Sequence, residues 1–161
     1  YTLFDPPTRP AAIAALAMAA SQDLATSVDP ASWAPLRQVG AARFLAWTAG
    51  VDLCLPNADE AELLTGGAAP DAAALRLGAH YGAAVVTAGA GGAVWSDGRE
   101  TIGQPAAHCP DLRDGVGAGD AFTAGYLAAL VRRATVEEAL AAAAETAVLA
   151  LQQRGPRPPA A

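Results

Sequence analysis

The sequence predicts an α/β fold, a mostly parallel sheet with helices on both faces. Three observations carry that expectation. Short apolar runs rich in β-branched residues, closed by glycine, proline or asparagine, recur along the chain. Longer alanine- and leucine-rich stretches with helical character lie between them. The two kinds alternate, and strand–helix–strand units pack most simply into a parallel sheet covered by helices.

Each element follows from local chemistry. Residues 10–22 (PAAIAALAMAASQ) read as a helix opened by Pro10, whose missing N–H costs nothing in a first turn. LATSVDP (24–30) reads as a short buried strand stopped by Asp29-Pro30. PLRQVGAARFLAWTA (35–49) is helical and VDLCLPN (51–57) is a strand. ADEAELLTG (58–66) is a short helix with acids in its first turn and glycine at its end. PDAAALRLGAHYG (70–82) is helical, and AAVVTAG (83–89) is a strand running into glycines. GAVWSDGRETIG (92–103) reads as a hairpin turning at Asp97-Gly98. Helices over 119–133 and 135–153 close the chain, and residues 154–161 read as a disordered tail.

Composition excludes several functions. With 161 residues the chain is long enough for one domain with a real core. Its net charge of −6 argues against binding a nucleic-acid backbone. The longest apolar stretch, residues 11–20, falls well short of the roughly 20 residues a membrane span requires, and nothing resembles a signal peptide. Cys54 and Cys109 lack metal-type spacing and read as reduced thiols of a cytoplasmic protein; His80 and His108 are isolated. All 10 basic residues are arginine. Without lysine there is no Walker-A loop, no protein-kinase strand lysine and no Schiff base.

In open α/β sheets ligands bind at the carboxyl ends of strands. Asn57, the segment from Thr87 to Gly92, and the segment from Asp114 to Asp120 fall at such ends, so that rim is the candidate site. The last segment belongs to DGVGAGDAFTAGY (114–126), where glycines lead into a helix. A turn of this kind offers unpaired N–H groups at the positive end of the helix dipole, and Gly117, Ala118 and Gly119 present little side chain to obstruct an anion. Asp120 would repel that anion, unless it serves a second reactant. Beside a phosphoryl group in flight, it would accept the proton of an attacking hydroxyl while the amides absorb developing charge. The plainer alternative is that Asp120 caps the helix and the glycines only turn the chain.

DGVGAGDAFTAGY resembles the C-terminal signature of the ribokinase-like (PfkB) carbohydrate kinases. PNADEAELLTG is similar to the Asn-x-x-Glu motif of that family, and VVTAGAGGAV to its nucleotide-binding segment, in the same order. YTLF and SVDPAS resemble upstream strands. The resemblance implies a three-layer α/β/α fold whose N-terminal substrate and lid portion is missing, with residues 1–153 forming the ATP-binding and catalytic part. It implies transfer of the γ-phosphoryl group of ATP to a hydroxyl of a sugar or sugar-like substrate.

Residue by residue, it implies Asp120 as general base and Gly117, Ala118 and Gly119 as the anion hole. Asn57 would act near the phosphates, and Glu60 would act on Mg²⁺ through water; Thr87, Gly89, Gly91 and Gly92 would line the nucleotide. Asp114 would lie at a monovalent-cation (K⁺) site. Plainer roles stand beside two of these: a first-turn acid for Glu60 and a strand-end hydroxyl for Thr87. Two departures stand out. Gly115 replaces the usual threonine, and no asparagine occurs near Ala144 and Glu145, where the family often places one against adenine. Two other functions remain open: a non-catalytic nucleotide-binding remnant or regulatory module, and a nucleoside or pseudouridine kinase. The expected partner is a small-molecule sugar or nucleoside, with neither nucleic acid nor membrane. Exposed sheet edges make a homodimer an expectation as well.

Overall fold

A computed structural model describes residues 1–155. Of the expected tail, residues 156–161 lie outside the described residues. The elements in order are α1 (Arg9–Ser21), β1 (Ser27–Val28), α2 (Trp33–Val39), α3 (Ala41–Trp47), β2 (Leu53–Cys54), α4 (Ala58–Thr65), α5 (Pro70–Tyr81), β3 (Ala83–Thr87), β4 (Ala93–Ser96), β5 (Thr101–Gln104), α6 (Ala118–Val131) and α7 (Val136–Leu151). A single 3₁₀ turn, Gly89–Gly91, lies between β3 and β4. The strands form one sheet in the order β1-β2-β3-β4-β5, with β1, β2 and β3 parallel. This is the expected α/β architecture. The chain divides into two compact units: Tyr1–Thr87 with Val94–Thr101, and Ala88–Ala93 with Ile102 onward.

In the first unit the core gathers Leu36, Phe44, Cys54, Leu77, Val86 and their neighbours between the parallel strands and helices α2 to α5. α5 passes the end of β4 so closely that Gly78 is obligatory: a Cβ there would stand 2.5 Å from the Ser96 carbonyl oxygen. Gly98 meets α5 in the same way, 2.5 Å from Ala79 Cα. The turn joining β4 to β5 is built from its own side chains. Asp97 Oδ1 accepts the N–H groups of Arg99 (2.9 Å) and Glu100 (3.0 Å), and the Ser96 hydroxyl donates to the Glu100 carbonyl at 2.7 Å. Beneath the sheet, the buried hydroxyls of Thr48 and Tyr81 pair at 2.7 Å.

Three expectations are corrected. The helix over 35–49 is two helices, because Gly40 at φ 87° breaks the run. The strand over 24–30 shrinks to Ser27–Val28; Thr26 gives its N–H and its hydroxyl to the Asp52 carboxylate (2.7 and 2.8 Å), and Asp29-Pro30 ends the pairing. YTLF is a turn, not a strand: the N–H groups of Phe4 and Asp5 both return to the Tyr1 carbonyl, and Thr8 donates its hydroxyl to the Thr2 carbonyl.

In the second unit, α6 and α7 pack face to face. Phe122, Tyr126 and Ala129 line the inner side of α6, and Leu140, Ala143 and Ala144 that of α7. Gly125 permits the approach, since a Cβ there would lie 2.6 Å from Thr146 Oγ1. Thr135 starts α7 with a reciprocal capping box to Glu138. No described helix is long and apolar enough to cross a membrane.

Candidate active site

Within the first unit, the carboxyl ends of the three parallel strands bring Asp29, Asn57 and Thr87 to one edge. Asn57 and Thr87 form a parallel bridge just beyond β2 and β3, and the Thr87 N–H donates to the Pro56 carbonyl at 3.0 Å. Asn57 is also the N-cap of α4. Its Oδ1 accepts the Glu60 N–H at 2.9 Å, while the Asn57 N–H donates to Glu60 Oε2 at 3.0 Å. The Asn-x-x-Glu spacing is therefore a capping box, the geometry that three residues of separation permits at a helix start.

Glu60 is buried, and that burial raises its carboxyl above the ordinary carboxylate range; the Asn57 N–H opposes the rise and the Asp29 charge adds to it. Asp29 is held in its own turn, accepting the Ala31 N–H at 2.7 Å. Sequence reading passed it over as a strand terminator. Its signal was the Asp-Pro pair at the carboxyl end of a strand. A partly desolvated carboxylate with one oxygen on a backbone amide and a second acid nearby suits Mg²⁺ held through its waters, since magnesium keeps much of its hydration. Among the described residues no group of three or more histidines, cysteines or acids is arranged to hold a metal.

The second unit holds the remaining residues. Gly89, Gly91 and Gly92 form a tight turn: the Ala88 N–H donates to the Gly92 carbonyl at 2.8 Å, and that of Gly92 to the Gly89 carbonyl at 3.0 Å. Gly92 has φ 85°, and a Cβ there would collide with the Gln104 carbonyl oxygen. The turn forms one side of a slot of about 80 Å³, whose walls include Pro105, Ala107, Phe122, Ala144 and Val148. Such walls suit the faces of a flat heteroaromatic ring. Ala144 stands in this slot where an asparagine was sought.

Gly117 is the N-cap of α6 with φ 84°, a left-handed conformation that favours glycine. No side chain caps this helix, in contrast to the boxes at α4 and α7. The Ala118 N–H reaches the Gly115 carbonyl at 3.3 Å, and the Gly117 carbonyl accepts the Ala121 N–H at 2.9 Å. The first-turn amides at Gly119 and Asp120 have no carbonyl earlier in the helix to receive them. Asp120 lies exposed in that first turn. Asp114 accepts the N–H groups of Val116 and Gly155, both at 3.0 Å, which hold its carboxyl below the usual range.

The structure thus gathers Asn57, Glu60 and Thr87 in one unit. It gathers Gly89, Gly91, Gly92, Asp114, Gly117, Ala118, Gly119 and Asp120 in the other. The sequence model describing pfkB family carbohydrate kinases matches residues 2–161. Among solved structures, the chain is similar to an adenosine kinase from Sinorhizobium meliloti at 27% identity and TM-score 0.89, covering 98% of this chain and 49% of that one. A probable sugar kinase from Rhizobium etli CFN 42 matches at 26% identity and TM-score 0.84, over 92% of this chain and 45% of that one. A fructokinase from Vibrio cholerae O395, solved with fructose, ADP and calcium ion, matches at 25% identity and TM-score 0.82, over 96% and 53%. The chain spans about half the length of each of these structures. Among curated proteins, no sequence matches it.

Proposed function

This chain belongs to the pfkB family of carbohydrate kinases, and on that premise we propose that it carries the nucleotide-binding and phosphoryl-transfer groups of an ATP-dependent kinase acting on a sugar or nucleoside hydroxyl. The observation that carries the reading is the DGVGAGD segment at the uncapped start of α6, which leaves backbone amides beside an exposed carboxylate. Phosphoryl transfer needs both groups and little covalent help from protein. Asp120 takes the proton of the attacking hydroxyl, whose oxygen bonds to the γ-phosphorus as the bond to ADP breaks. The amides of Gly117 and Gly119, with that of Ala118 held only at 3.3 Å by the Gly115 carbonyl, absorb charge on the moving group.

The slot beside Gly89 and Gly92 takes the adenine ring by apolar contact. Family membership supports assigning Asn57 and Thr87, which meet at the strand ends of the first unit, to the nucleotide, and Glu60 would hold Mg²⁺ through water. Asp114, each of whose oxygens accepts one backbone N–H and keeps a further lone pair, is the residue that would face a monovalent cation. The substrate class includes both sugars and nucleosides, as the fructokinase and adenosine kinase relatives suggest. We expect its hydroxyl to be oriented by the half of the relatives that this chain does not span, since orientation supplies several kcal/mol of such barriers.

Calorimetry with Mg·ATP, paired with a coupled assay across sugars and nucleosides, tests the reading. The 161-residue chain should bind Mg·ATP weakly and turn over no acceptor efficiently. Acceptor-dependent turnover near 1 s⁻¹ or above, roughly the low end for enzymes, would show that orientation needs no further polypeptide. Failure to bind nucleotide at all would favour a decayed remnant.

A further inference from the structure

The loop ahead of the glycine motif is tied to the end of α7. The N–H groups of Arg113 and Asp114 both donate to the Leu151 carbonyl, at 2.9 and 3.2 Å. That carbonyl lies in the last turn of its helix, where no intrahelical N–H reaches it, so the loop supplies what the helix lacks. Asp114 then acts in two directions. Its Oδ1 accepts the Val116 N–H, closing the turn that carries Gly115 toward Gly117, and its Oδ2 accepts the N–H of Gly155, 41 residues further along. Gly155 offers that N–H from a left-handed conformation, φ 83°. Hydrogen bonds to an ionised acceptor are roughly twice as strong as neutral ones.

We propose that Asp114 is a positioning residue that clamps the phosphoryl-binding loop to the chain leaving α7, so that the residues after Leu151 set the geometry of Gly115 to Gly119. The proposal rests on the reading of that loop given under Proposed function. Both ends of the clamp are backbone amides. Each carboxylate oxygen holds one of them, so a single side chain spans both segments. Segments far apart in sequence, the glycine turn and the end of the last helix, become one mechanical piece.

Hydrogen–deuterium exchange on the whole chain tests this, with Asp114→Asn, a chain ending at Gln153, and the two combined. Asparagine keeps an acceptor for Val116 but turns an NH₂ toward the Gly155 N–H, so each change breaks the same bond. Exchange over residues 115–119 should rise about tenfold in either variant, as expected for losing one charge-assisted hydrogen bond. The combined variant should add little more, since changes that remove one shared interaction are not additive. Asp114→Glu, which retains the carboxylate, should restore part of the protection. Unaltered loop exchange in the shortened chain, or additive effects, would overturn the clamp. The phosphoryl reading fails separately, on Gly117→Val leaving Mg·ATP binding and turnover intact while the exchange results stand.

Discussion

Glu60, a residue only 3% exposed, accepts the backbone N–H of Asn57 on its carboxylate at 3.0 Å. Burial, and then the Asp29 charge, raise its pKa in the folded chain above the ordinary value near 4.3. The linkage has a definite sign. A carboxyl raised on folding loses nothing below its unfolded pKa, where both states bind the proton, and costs stability as pH rises through the folded value. Glu60→Gln keeps an acceptor for the box and removes the charge. The variant should therefore be more stable than wild type at pH 7. The difference should close as pH falls toward 4, a trend thermal melts across pH 4–7 would read. If Glu60 orders magnesium's water, the same variant raises the Mg²⁺ needed for nucleotide binding.

Gly67 and Gly92 make a matched pair for separating backbone strain from collision. Both have positive φ, 100° and 85°, but only at Gly92 does an added Cβ strike other backbone atoms, the Ala106 N at 2.9 Å among them. Gly67→Ala should cost about 1 kcal/mol, the strain of the left-handed conformation alone. Gly92→Ala should cost more, about 2–3 kcal/mol, and should weaken Mg·ATP binding by narrowing the slot. Denaturant melts of the two variants that coincide would show that the slot wall yields.

Asp120 gives the sharpest rate prediction. In a protein comprising this chain and the half of the relatives it does not span, Asp120→Asn should lower kcat by about 10²–10⁴, the usual worth of a positioned base. Nucleotide affinity should not fall, because asparagine fills no more of the pocket and only removes a charge that repels phosphate. Steady-state kinetics beside calorimetry separate the two quantities. Retention of more than about a tenth of wild-type kcat would return Asp120 to the role of a first-turn acid.

Helices were more legible than strands, for a physical reason. A helix announces itself locally: Pro10 and Pro70 in first turns, Asn57 with Glu60 at a start, Gly66 and Gly82 at ends. A strand depends on its neighbour. LATSVDP has strand composition, yet Thr26 keeps only its carbonyl in the ladder and gives its N–H to the Asp52 carboxylate, 26 residues away and invisible in local pattern. The break at Gly40 was written in the sequence, but an apolar period running through it masked the glycine. At the candidate site, the three-residue spacing of Asn57 and Glu60 announced a helix start, which the capping box of α4 is, and the glycines before Asp120 announced a turn into α6. Residue types and spacing could not carry Asp29, whose effect on Glu60 exists only once β1 lies beside β2. Nor could they carry the embrace of Asp114 and Gly155, which needs the last helix folded back to the loop.

The two cysteines have opposite surroundings, and this has a practical consequence. Cys54 is fully buried on β2, and desolvation, with the Asp29 charge adding to it, pushes its thiol far above the usual range, so almost none of it is the reactive thiolate. Cys109 is partly accessible and stands two residues from Ala107 in the slot wall. A thiol-directed fluorophore would therefore mark the unmodified protein at one place, beside the surface assigned to adenine. The chain comes with its own reporter, and occupancy of the slot can be followed optically without altering a single residue.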